Sequence, residues 1–306
     1  MTTDPPGVLA GHSLARLTTV RTGGAAEFFA RAGDAERLSR LLAWAAERGL
    51  DVGVVGSGSN LLVADEGVEG LVIKLDGELA TIEQDGTRLR CGGGARLPAA
   101  AAFAARAGLS GLEFGVNIPG KVGGAVKMNA NAYGGQLGEV LEWVDVVSGA
   151  GTDRRAPDAL GFAYRRSNLA PGEIVARASF ALAPAPPEQV KATLAGMREQ
   201  RHAAQPSGIK TFGSTFKNPD EARAQGRSAG QLLDAAGCRG LEVGGARFAP
   251  KHANFVENTG AATTADVVAL MAEGRRRVHE RFGITLEPEV QSLGPVAWPE
   301  GWEDGP

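Results

Sequence analysis

A chain of 306 residues, 43% hydrophobic and 22% charged, is long enough for two domains and has the composition of an ordinary globular protein. Thirty-two basic against 35 acidic residues leave a net charge of −3, which gives no electrostatic ground for nucleic acid as a partner. Cys91 and Cys238 are too few for a disulfide framework or a cysteine zinc site, and no apolar run approaches the roughly 18 residues of a membrane span. The opening Met1–Gly7 has neither a basic nor an apolar leader segment, so the cytoplasm is the expected compartment. Glycine is the informative excess, 44 of 306, implying many left-handed turns and close backbone approaches.

In chain order, residues 1–17 read as a tail or loosely docked arm. Asp34 caps an amphipathic helix that places Leu38, Leu41, Leu42 and Ala45 on one face and stops at Gly49. Strands follow at 52–55, 61–63 and 71–75, and then an alanine-rich helix from Leu97 to Arg106. Further strands are predicted at 140–147 and 174–182. The proline stretch Ala183–Pro187 is the best boundary, and a helical run follows it from Glu188. Beyond it come a helix over 228–236, a strand over 253–257 and a long helix from Thr264 to Arg281 closed by Gly283. The Arg275–Arg277 run reads as its solvated face. Helix and strand alternate only occasionally, so the fold class is α+β.

Five stretches could carry chemistry. Gly56-Ser57-Gly58-Ser59-Asn60, between two apolar strands, can turn successive backbone N–H groups toward an anion; read alone it is more often a tight turn. Gly115 to Gly124 nearly spells a P-loop, but Val122 stands where a hydroxyl is needed and Pro119 has no N–H to offer. In the second half, Ser214 lies beside Phe216, Lys217 and Asn218, Lys251-His252-Ala253-Asn254 precedes an apolar strand, and Glu287 and Glu289 flank Pro288. Individually these read as turns, caps or solvated pairs.

Taken in order, nine segments make the chain resemble the UDP-N-acetylenolpyruvoylglucosamine reductases. They are Thr22–Ala26, Gly56–Val63, Gly108–Phe114, Ile118–Ala125, Met128–Gly134, Phe162–Ser167, Gly213–Pro219, Lys251–Phe255 and Leu286–Val290. The resemblance implies a FAD-binding domain of the vanillyl-alcohol-oxidase type (PCMH-like) at 18–184, a smaller α/β substrate-binding domain at 188–292, and a tail at 293–306. It implies non-covalent FAD, NADPH as co-substrate, a nucleotide-sugar substrate, no metal, no nucleic-acid or membrane partner, and a monomer.

By the same resemblance Val55, Gly56, Ser57, Gly58, Ser59, Asn60, Ile118, Pro119, Gly123, Gly124, Asn129, Asn131 and Ala132 hold the flavin. Gly58 is expected to lie too close to the FAD pyrophosphate for a Cβ. Arg165 holds the substrate carboxylate, Ser214 donates a proton, and Glu289 works on the carboxylate side with a raised pKa, Glu287 being structural or solvated. Tyr133, Arg201, Lys217 and Asn218 touch diphosphate or sugar. Asn131 replaces the family's usual glycine, a substitution expected to survive because asparagine tolerates a left-handed backbone. No tyrosine lies between Arg165 and Ser214, so the chain resembles the shorter subtype without a tyrosine loop. A flavin-dependent sugar or alcohol oxidase, a non-catalytic nucleotide-sugar binder and a P-loop protein remain as alternatives.

Overall fold

The computed structural model describes residues 4–219 and 224–302; the ends of the expected arm (1–3) and tail (303–306) lie outside the described residues. The chain is α+β and forms two compact units that interleave along the sequence. One comprises 1–10, 28–57 and 69–201, and the other 11–27, 58–68 and 202–306. They are therefore not consecutive blocks of chain. Within the expected arm, Leu9–Ser13 is a strand at the edge of a four-stranded sheet, in the order Leu9–Ser13, Ala25–Ala32, Val68–Leu75, Val52–Val54. Among the described residues no helix is long and apolar enough to cross a membrane.

In the first unit, the helix Ala35–Glu47 begins where the Asp34 carboxylate accepts the Arg37 N–H, and it buries Leu38, Leu41, Leu42, Trp44 and Ala45 against Leu71, Ile73 and Leu75. Val52–Val54 pairs in parallel with Leu71–Ile73. A five-stranded antiparallel sheet runs in the order Gly151–Arg155, Leu141–Ser148, Ile174–Ala181, Arg88–Gly92, Ile82–Asp85. Its core takes in the helix Leu97–Arg106, whose Ala100, Ala101, Ala104 and Ala105 let neighbouring backbone come close. At Gly93 a Cβ would stand 1.8 Å from the Val175 carbonyl oxygen, so only glycine fits. The hairpin Ile82–Asp85/Arg88–Gly92 gave no apolar run because only Leu89 and Cys91 of its alternating face, with Gly92, are buried.

The second unit has an antiparallel meander of Glu242–Val243, Ala246–Phe248 and Val256–Asn258, a parallel pair of Leu61–Val63 with Gln291–Leu293, and the helix Thr264–Phe282. That helix starts with a reciprocal capping box, Thr263 with Asp266, and ends at Gly283, whose φ of 66° suits a left-handed stop. Its core draws on distant stretches of chain: Val20 and Leu62 are fully buried beside Phe212, Phe216, Phe248 and Met271. Thr264 Oγ1 donates to the Val63 carbonyl (2.6 Å) and pairs with Thr22 Oγ1 (3.0 Å). Asp65 accepts the N–H groups of Thr264 and Ala265, and the Asn258 amide donates to the Val20 carbonyl.

Candidate active site: two sets of functional groups

In the first unit, Val55 is anchored through its N–H to the Ile73 carbonyl, and the chain then turns at Gly56 and Ser57. The Gly56 carbonyl accepts a hydrogen bond from Lys74 Nζ at 2.6 Å. A Cβ on Gly56 would come within 3.0 Å of the Lys121 side chain, so two lysines converge on this turn. The Lys74 ammonium is held below the usual lysine range, first by burial and then by the charges of Lys121 and Arg31. Burial, and after it Arg96, lowers Lys121 in the same direction. Asp76 opposes both shifts without cancelling them. The turn is thus short of negative charge.

The segment after Asn117 is pinned edgewise. Leu97 N–H donates to the Gly120 carbonyl, Val122 N–H to Ala95, and Gly123 N–H to Gly93 (2.8 Å). The Gly123 donor is therefore committed within the unit. Ile118 is half-buried and Pro119 exposed. Gly124 is different: it sits in the helix Val122–Lys127, it is exposed, and a Cβ there would meet nothing within 4 Å. Neither backbone strain nor packing within the protein calls for glycine at this position.

Asn129 is fully buried, and both ends of its side chain are committed, Nδ2 to the Ala163 carbonyl (3.3 Å) and Oδ1 to the Gly138 N–H (3.1 Å). Asn131–Ala132 pairs with Gly135–Gln136 as a hairpin closed by Tyr133 and Gly134, whose φ values of 52° and 81° are those of a primed two-residue turn. The left-handed positions are Asn129 and Tyr133. Asn131 lies in the extended arm, so asparagine is accommodated there for a reason other than the one expected from sequence. Tyr133 Oη accepts from Asn117 Nδ2 (2.7 Å) and donates to the Met197 carbonyl (3.1 Å). Arg201 Nη1 donates to the Asn117 carbonyl, and burial lowers the Arg201 pKa. Arg165, half-buried with φ 56°, directs Nη1 to the Asn131 carbonyl (3.4 Å) and lies 5.4 Å from the Tyr164 ring centre. Arg165, Asn131, Tyr133 and Arg201 therefore form one connected group.

In the second unit, Gly58 is buried with φ 61°. A Cβ there would strike the Leu17 carbonyl oxygen at 2.2 Å and Thr18 Cα at 2.6 Å. The chain's own backbone alone already requires glycine here. Thr19 fixes the Gly58 carbonyl through both its N–H (3.0 Å) and its Oγ1 (2.9 Å). Ser59 and Asn60 follow, both half-buried.

Ser214, Thr215 and Phe216 form the middle of three extended segments. On one side Ser214 bridges Phe255, Thr215 N–H donates to the Asn254 carbonyl, and the Asn254 side-chain amide bonds both ways with the Phe216 backbone at 2.9 Å. On the other side Glu289 N–H donates to Thr215, and Lys217 N–H to Glu287. Pro288 sits opposite Phe216, a position in this pattern that asks for no N–H. Pairing of 253–255 with 214–216 also explains why the regular strand predicted from Ala253 begins only at Val256.

The segment pairing sets Thr215 opposite Glu289, with Ser214 the next residue along the strand. Residues two apart on an extended strand share a face, so exposure rather than facing separates the two glutamates. Glu287 is exposed and pairs with Lys217 at 3.3 Å, while Glu289 is half-buried. Asn218 Oδ1 accepts the Ala229 N–H at the start of a helix. Lys74, Asn117 and the Asn254 amide were not legible as functional from sequence. The only signal was the polar Lys-His-Ala-Asn run before an apolar strand.

Glycine-lined turns beside half-buried lysines in one unit, and a hydroxyl and a carboxyl on paired segments in the other, are consistent with a flavoprotein of the FAD-binding class. Residues 26–156 match the family described as FAD binding domain. Residues 205–293 match the family described as UDP-N-acetylenolpyruvoylglucosamine reductase, C-terminal domain. The chain belongs to the UDP-N-acetylenolpyruvoylglucosamine reductase family. It is 44% identical to UDP-N-acetylenolpyruvoylglucosamine reductase 2 of Symbiobacterium thermophilum over 96% of this chain and 95% of that one. It is 43% identical to the reductase of Sphingopyxis alaskensis, covering 92% and 93%. The crystal structure of the Thermus caldophilus enzyme superposes with a TM-score of 0.79 at 39% identity, covering 95% of this chain and 98% of that one. The residues present fit FAD: the excess positive charge at Lys74 and Lys121 suits a diphosphate, and the bare face of Gly124 leaves room that a side chain would fill.

Proposed function

We propose that this chain reduces UDP-N-acetylglucosamine enolpyruvate to UDP-N-acetylmuramate in peptidoglycan precursor synthesis, as a monomer in the cytoplasm. Its cofactor is FAD, held non-covalently, and NADPH is the co-substrate. Bound FAD supplies the hydride, taken from NADPH and passed to the vinyl carbon. The observation that best supports this reading is the pairing of Ser214–Lys217 with Glu287–Glu289, which brings a hydroxyl-bearing and a carboxyl-bearing residue onto neighbouring strands.

Hydride arrival leaves negative charge on the α-carbon and its carboxylate, and that charge is what the protein must stabilise. Arg165 offers a permanently charged planar fork to the carboxylate, and its tether to Asn131 orients it. Ser214 Oγ gives its proton to the α-carbon. Glu289 serves the carboxylate side in its protonated form, because an ionised carboxylate beside a developing dianion would raise the barrier. Tyr133, Arg201, Lys217 and Asn218 bind the diphosphate and sugar. The Lys217–Glu287 pair is exposed enough for a phosphate to compete for the ammonium. In the FAD site, the residues 55–60, 118–119, 123–124, 129 and 131–132 contribute chiefly through backbone, since the Asn129 side chain is committed elsewhere.

The test is spectroscopic. Purified protein should carry flavin absorption that bleaches anaerobically with NADPH and returns on addition of the enolpyruvyl substrate, with one lactyl product formed per flavin reoxidised. Flavin that reoxidises with oxygen but not with the substrate would favour an oxidase and overturn the assignment.

A further inference from the structure

We propose that Asn60 is a positioning residue for Glu289, acting through the Glu289 backbone. The inference rests on the reading above, in which Glu289 serves the substrate carboxylate. The Glu289 peptide is gripped on both edges: its N–H donates to the Thr215 carbonyl (2.9 Å), and its carbonyl accepts from Asn60 Nδ2 (3.1 Å). Two residues on, Gln291 N–H donates to the Asn60 carbonyl (3.1 Å), and the parallel pairing of Leu61–Val63 with Gln291–Leu293 begins.

Parallel pairing extended one step further back would use the backbone N–H of residue 60 to reach the residue 289 carbonyl. The Asn60 side chain makes that bond instead, so the loop turns away at Asn60 while Glu289 keeps a partner. The loop is itself seated firmly, because Thr19 fixes the Gly58 carbonyl twice and the Gly58 backbone packs directly on Leu17. Pro288 adds a fixed φ immediately before Glu289. Asn60 therefore transfers the position of a rigid loop to the carboxyl-bearing residue.

The decisive variant is Asn60→Asp, which keeps shape but turns an oxygen toward the Glu289 carbonyl; Asn60→Ala is the second variant if the first folds poorly. FAD affinity is measured by titrating flavin-free protein and following flavin fluorescence. Stopped flow then separates flavin reduction by NADPH from reoxidation by the enolpyruvyl substrate. The expected result, at saturating FAD and substrate, is a limiting reoxidation rate reduced about 10-fold, the scale of one lost hydrogen bond that repels, and a smaller change in the limiting rate of flavin reduction.

In a Glu289→Ala background the same change should cost less than about 2-fold, since the pathway through Glu289 is already gone. Normal reoxidation in FAD-saturated variants would show that the Asn60 side chain does not act through Glu289 and overturn the proposal, whatever the change in FAD affinity. Fully additive losses with Glu289→Ala would overturn it as well. Wild-type protein whose reduced flavin ignores the enolpyruvyl substrate would bring down the functional reading, and this proposal with it. An active wild type with unaffected Asn60 variants would bring down this proposal alone.

Discussion

The two units use glycine differently: in the first, Gly124 presents an open face, and in the second, Gly58 packs against backbone. At Gly124 a Cβ has open space, and at the Tyr133–Gly134 turn the hairpin reverses in two residues. In the second unit glycine serves the protein itself, as at Gly58, and Ser214, Thr215 and Glu289 have neighbours set by hydrogen bonds between extended segments. The same residue type can thus signal a ligand in one place and internal packing in another, and only the direction of the missing Cβ tells the two apart.

The sharpest test of the comparison is Ser214→Ala. If the second unit carries the proton, flavin reduction by NADPH should be nearly unchanged while reoxidation by substrate slows by about 10²–10⁴, the usual range for a lost general acid. Equal damage to both halves in stopped flow would show that Ser214 holds structure.

A pair of glycine variants comes next. Gly58→Val forces a branched side chain into the Leu17 backbone at a left-handed position, so it should lower the melting temperature or abolish folding even without flavin. Gly124→Ala should do the reverse, stabilising flavin-free protein by about 0.5–1 kcal/mol through helix propensity while weakening FAD binding. Thermal melts and FAD titration of both variants would break the comparison if Gly58→Val proved stable or Gly124→Ala bound FAD normally.

The lysines give a pH signature. Lys74 and Lys121 are held below the ordinary lysine value, so in flavin-free protein they release protons at a pH where the unfolded chain still holds them. These two groups should therefore make flavin-free protein more stable as pH rises through that alkaline window. FAD affinity should fall in the same window, because the diphosphate loses its cations. Lys121→Met should weaken FAD binding about 10-fold at neutral pH, on the scale of one charged hydrogen bond, and flatten the alkaline decline, as read by fluorescence titration.

The smallest effect is expected at Glu287. Glu287 is exposed and paired with Lys217, so Glu287→Gln should stay within about 3-fold of wild type in both half-reactions, since surface pairs contribute little. Glu289→Ala should lose more than Glu289→Gln, because glutamine can still donate a hydrogen bond. Stopped-flow reoxidation ranks the three.

Much of this was legible in the sequence wherever local pattern decides structure. Asp34 announces a helix start, Gly49 and Gly283 announce stops, and the apolar runs at 61–63, 71–75 and 174–181 are strands. Leu9–Ser13 was read as part of an arm because all five of its residues are exposed or half-buried, leaving no buried face for a period to mark. The site residues were legible only as segments in order. The commitments of Asn129, Gly123 and Asn60 depend on partners up to 229 positions away, and no spacing rule reaches that far.

The second unit is not a transferable cassette, because its core is filled from three separate stretches of chain. A gene cut at the proline stretch would yield a C-terminal fragment without Val20, Leu62 and Val63, and without the Asp65 carboxylate that caps its longest helix. Such a fragment would carry Ser214 and Glu289 on a core with voids where two fully buried side chains belong. Recombination could pass this unit to another protein only by bringing its N-terminal pieces along, which ties its inheritance to that of the FAD-binding part.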